Sequence, residues 1–176
     1  MAIDKEAFKR SAQTKPSFPF KQGAAALARH DLGPLETWTQ VGANPTNCLY
    51  RATGPNGIFF VKIKFRATSS LIRPGPSLAV EADLAAFLRA NTTLPLPPIC
   101  LFDEDSDIFG HSFLVSAALP GQGGRFYFED DNTTFEQRRN LLRQFGTVVA
   151  TINKLKIPQD LVPLRDMSRW REDIRA

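Results

Sequence analysis

Between Ile58 and Phe65 the chain reads IFFVKIKF, an alternation that leaves little choice of local structure. As a strand it puts Phe59, Val61, Ile63 and Phe65 on one face and Phe60, Lys62 and Lys64 on the other. Gly54 to Gly57 (GPNG) stands just before it, and Gly, Pro and Asn together are a strong turn signal. The strand at 58–65 is therefore expected to pair antiparallel with the run NCLYRAT at 47–53. ETWTQVG at 36–42 supplies a further strand, joined to that run through Gly42 to Thr46.

The rest of the chain organises around these strands. Residues 1–19 are polar with two prolines and are expected to lie loosely on the surface. Residues 20–31 read as a short helix ended by Gly33 and Pro34, with His30 in the last turn, where a cation suits the helix dipole. The segment ATSSLIRPGPS reads as a loop. A helix over 78–90 follows, capped by Ser77, with Leu84, Phe87 and Leu88 as its apolar stripe and Val80 one turn earlier. LPLPPI leads into a strand near Cys100. An acidic turn, DEDSDIFGH, then precedes the apolar strand SFLVSAAL at 112–119, and LPGQGG reads as a flexible link. From Thr133 the pattern is helical again. Thr133 and Glu136 have capping-box spacing, and Leu141, Leu142, Phe145, Val148, Val149 and Ile152 lie on one broad face. MSRWREDIRA is a last amphipathic piece. The class is α+β, an antiparallel five-stranded sheet with one packed helix, followed by a helical region. Three segments result: 1–19, 20–120 and 121–176.

Bulk properties remove several functional classes. Hydrophobic residues make up 43% of the 176 and charged residues 23%, ordinary values for a globular protein. The net charge is +4, but Lys and Arg are scattered. The densest cluster (Arg138, Arg139, Arg143) sits on a helical pattern and reads as a solvated face, so no nucleic-acid partner is expected. Cys48 and Cys100 have neither disulfide nor zinc spacing. No apolar run is long enough to span a membrane, and MAIDKEAFKR is too charged for a secretory signal. A cytoplasmic, reduced protein without a membrane partner is the expectation.

Few residues offer chemistry. A lysine on a strand and a glutamate at the front of a helix can act as a pair, the carboxylate holding the ammonium against a phosphate by charge-assisted hydrogen bonds. Lys62 and Glu81 stand in that order. Alone, each reads as an ordinary surface residue, and Lys64 shares the face of Lys62, so either lysine can be the one facing a ligand. The loop GANPTN (Gly42 to Asn47) can lay backbone N–H groups over phosphates, although a plain hairpin turn looks much the same. The backbone of Ser116, Ala117 and Ala118 is where an adenine edge would bond. The acidic turn lacks the Gly and terminal Glu of a calcium loop. His30 and His111 have no partners at ligand or triad spacing.

These pieces together resemble the N-terminal lobe of the aminoglycoside phosphotransferase and choline-kinase-like family, which has a protein-kinase-like fold. The resemblance rests on GANPTNCLYRAT, FFVKIKF, EADLAAFLRA and LFDEDSDIFGHSFLVSAALPG, and it covers roughly residues 20–175. LLRQFGTVVATINKL is similar to the first large helix of the family's second lobe. The resemblance implies that Lys62 contacts the phosphates of ATP and that Glu81 anchors Lys62. It also places Thr46 and Asn47 in the phosphate loop and makes Ser116 to Ala118 the adenine hinge. Ala117 departs from the acidic hinge residue of many relatives, and Ile152 and Asn153 stand where many have Leu-His. The family's catalytic loop (His-Gly-Asp followed by Asn) and later metal-binding Asp are absent from these 176 residues. Complete relatives transfer the ATP γ-phosphoryl group to a hydroxyl of a small polar acceptor. The expectation here is a partial kinase, a truncated transferase with no catalytic residue of its own, at most weakly ATP-binding, with magnesium only where a complete second lobe is present. The alternative is a non-catalytic interaction module, or a gene fragment without activity. It would bind a protein partner or self-associate through the helix at 134–155, whose apolar face is broader than one small sheet can cover. The acceptor is not legible.

Overall fold

The computed structural model describes residues 16–44, 46–65, 77–104, 107–121, 132–158 and 161. Most of the N-terminal polar segment, the loop ATSSLIRPGPS up to Pro76, the LPGQGG link past Gly121 and the tail MSRWREDIRA therefore lie outside the described residues. Among the described residues there are three helices and five strands: α1 (Phe20–Ala28), β1 (Thr37–Asn44), β2 (Asn47–Gly54), β3 (Gly57–Lys64), α2 (Leu78–Asn91), β4 (Ile99–Asp103), β5 (Ser112–Ala117) and α3 (Phe135–Asn153). The protein is α+β. Its five strands form one antiparallel sheet in the order β1-β2-β3-β5-β4.

Two compact units divide the chain. The first holds the described residues up to Ala82 together with Pro97–Ala118, and so contains the whole sheet. The second holds Asp83–Leu96 and the described residues from Leu119 onward. The division thus falls within α2 and again after Ala118.

The hairpin between β2 and β3 closes on the pair Gly54–Gly57, with Pro55 and Asn56 between them. Gly57 has φ +119, a value that favours glycine. Gly54 is required for a different reason: a Cβ there would lie 2.2 Å from the carbonyl oxygen of Pro34. The first connection is tighter than the sequence suggests. β1 runs on to Asn44, with Gly42 opposite Leu49 and Ala43 opposite Cys48. The ladder slips one residue between Gln40 and Gly42, so Val41 bulges outward and the strand continues past its glycine.

Alternation along the strands builds the core. Cys48, Tyr50 and Ala52 of β2, Phe59, Val61 and Ile63 of β3, and Phe113 and Val115 of β5 are all buried in one cluster. Ala26 and Leu27 of α1, Phe18 and Phe109 belong to the same cluster. Burying a side chain the size of Leu27 or Ile63 stabilises by roughly 1.5–3 kcal/mol. Two expectations are corrected here. The sheet does not carry a single helix, because α1 also packs on it. Residues 16–19 are not loose surface, because Phe18 is only 6% exposed. The reason is local: the Phe18 N–H donates to Tyr50 Oη at 3.0 Å, and its carbonyl accepts from Trp38 Nε1 at 2.8 Å. Both backbone groups are thus satisfied inside the protein, and the ring packs edge-on against Phe109 at 5.4 Å.

In the second unit α3 starts from a capping box, but one residue later than Thr133. The Thr134 hydroxyl accepts from the Gln137 N–H at 3.2 Å, and Gln137 Oε1 accepts from the Thr134 N–H at 2.7 Å. Thr-Thr and Glu-Gln lie three apart in both registers, so spacing alone does not choose between them. No residue of α3 is buried, and Phe135, Leu142, Phe145 and Val149 stand exposed.

Candidate functional site

Lys62 points away from the core. Its neighbours in the ladder are Leu49 on β2 and Leu114 on β5, with Phe102 of β4 opposite Leu114. A lysine therefore stands in the middle of an apolar row on the second face of the sheet. Leu114 is only 6% exposed although it points away from Phe113 and Val115. Three successive buried residues on one strand mean that both faces of β5 are covered there. The continuous apolar run FLV within the strand is the sequence signal for this.

Glu81 reaches Lys62 from α2. The helix begins at the Ser77 cap, where Ser77 Oγ accepts from the Val80 N–H and the Ser77 carbonyl accepts from the Glu81 N–H, both at 3.2 Å. Glu81 is thereby held in the first turn, where the dipole favours a carboxylate. Lys62 Nζ donates to Glu81 Oε1 at 2.7 Å and to Oε2 at 2.6 Å. The side chains are 29% and 33% exposed, so water still reaches the pair. An ammonium has three N–H donors. Two are directed at Glu81, and one remains for another acceptor.

Lys64, the other lysine of this face, lies opposite Asn47 and Ser112. Partial burial pushes its ammonium below the usual lysine range; Glu81 opposes that shift and Lys62 adds to it. Glu81 bonds Lys62, and Lys64 feels the same carboxylate through its field.

Thr46 and Asn47 lie at the mouth of β1 and β2, on a turn organised by Asn44. Asn44 Oδ1 accepts from the Thr46 N–H at 2.9 Å, the Asn47 N–H at 2.7 Å, Thr46 Oγ1 at 3.2 Å and Asn47 Nδ2 at 3.2 Å. The two backbone donors expected to face a phosphate are engaged by a side chain of the same turn. Thr46 itself is buried, and its carbonyl accepts from the Phe65 N–H at 2.9 Å.

Ser116 lies opposite Phe60 on β3 and Ile99 on β4. The Ala117 N–H donates to the Pro98 carbonyl and the Ala118 N–H to the Ile58 carbonyl, each at 2.9 Å. An edge-on ligand contact along this stretch thus falls to carbonyl groups rather than to these two amides. Of the expected set, Lys62 and Glu81 touch through side chains, Thr46 and Asn47 form a separate cluster in which Asn47 Nδ2 donates to Thr46 Oγ1 at 2.9 Å, and Ser116 to Ala118 lie at the end of β5.

Elsewhere in the first unit, the acidic turn serves the fold. Arg29, just after α1, forms an ion pair with Asp107, and His30 Nε2 lies 3.7 Å from Asp103 Oδ2. The Arg29 guanidinium holds the Asp107 carboxyl below the usual carboxylate range. Among the described residues no group of three His, Cys, Asp or Glu side chains could hold a metal ion, and no helix is long and apolar enough to cross a membrane. Cys48 is buried and Cys100 exposed, and neither is in a disulfide.

No family model matches the chain, and no curated protein matches it. The functional reading therefore rests on the residues themselves.

Proposed function

We propose that the first unit binds ATP or a related nucleotide on the face of the sheet that carries Lys62, in the manner of a small-molecule kinase of the phosphotransferase family that the sequence resembles. One observation carries the reading: Lys62 on a central strand takes both carboxylate oxygens of Glu81, 19 residues later on α2. Stability alone is a poor reason for such a pair, since a partly exposed ion pair contributes only about 0–1 kcal/mol. Its use is positional. The carboxylate fixes the ammonium over an apolar floor of Leu49 and Leu114, with one N–H left to meet a phosphate oxygen.

In this reading Ser116 to Ala118 run beside the base, and Thr46 and Asn47 approach the phosphates once their amides leave Asn44. Transfer of the γ-phosphoryl group would need a base and magnesium ligands, and the His-Gly-Asp pattern that supplies them in the family does not occur in these 176 residues. The activity proposed for them is therefore binding, without phosphotransfer.

Calorimetric titration with ATP and Mg²⁺ tests the proposal. The wild-type chain should bind measurably. Lys62→Ala should lower affinity at least about tenfold, or about 1.4 kcal/mol, and Glu81→Gln should lower it less, while both variants keep their melting temperature within a few degrees. Unchanged affinity in Lys62→Ala would remove the site.

A further inference from the structure

We draw no further inference here: the strongest candidate, the apolar face of α3 that carries Phe135, Leu142, Phe145 and Val149, has nothing in the structure to show what covers it.

Discussion

Gly23 on α1 lies against the indole of Trp38 on β1, so close that a Cβ at Gly23 would stand 2.6–2.7 Å from three ring atoms. The indole cannot simply retreat, because its other neighbours include Tyr50, stacked on it at 4.5 Å. Gly23→Ala gains about 1 kcal/mol of helix propensity but forces overpacking that typically costs about 1–3 kcal/mol. A net loss of up to about 2 kcal/mol is expected by urea unfolding. Gly146→Ala on α3, where a Cβ meets nothing within 4 Å, is the matched control and should be neutral or stabilising.

Tyr50→Phe should be costly for its size. The phenol oxygen is the acceptor for the buried Phe18 N–H, and removing it leaves that donor without a partner at a cost of about 1–3 kcal/mol. The unfolding midpoint should fall accordingly. The ring itself is retained, so near-ultraviolet circular dichroism should show Trp38 still packed.

The exposed side chains of α3 should be visible to an environment-sensitive dye. Phe135, Leu142, Phe145 and Val149 range from 39% to 78% exposed, and an apolar stripe of this kind binds such dyes in a folded protein. The double variant Leu142→Gln, Phe145→Gln should lose most of the dye fluorescence and keep its helix content. Retained fluorescence would place the bound dye elsewhere.

Acid should remove one tie between α1 and the sheet. The Asp107 carboxyl, held below its ordinary value first by its hydrogen bond to Arg29, is a group whose folded pKa is depressed. Its contribution is present above the unfolded carboxylate value of about 4 and is lost as pH falls through the lower folded value. Asp107→Asn should therefore be less stable than wild type near neutrality, and the two should converge at the acid end of a pH series of unfolding curves. The difference will be small, because solvent screens both partners.

Much of the first unit can be read from the chain because its signals are local. The alternation of Ile58–Phe65 names both faces of β3, GPNG names the hairpin, and Ser77 with Glu81 names the start of α2. What the chain conceals depends on pairs distant in sequence. Phe18 looks like part of a polar leader until Tyr50 and Trp38 are seen to satisfy its backbone. The donors of Thr46 and Asn47 look open until β1 is extended to Asn44, whose side chain then reaches them. The cap of α3 is ambiguous by one residue because two overlapping four-residue windows satisfy the same rule.

The strand order also bears on how the sheet assembles. β1, β2 and β3 are consecutive hairpins and can pair early, whereas β5 reaches β3 only after α2 and β4 have been traversed. Until Val115 settles beside Val61, the far edge of β3 is an open ladder with high strand propensity. Lys62 and Lys64 lie along that edge. Charged side chains there discourage a second chain from pairing in place of β5, so the residues placed at the candidate site also guard β3 for as long as it is an edge strand.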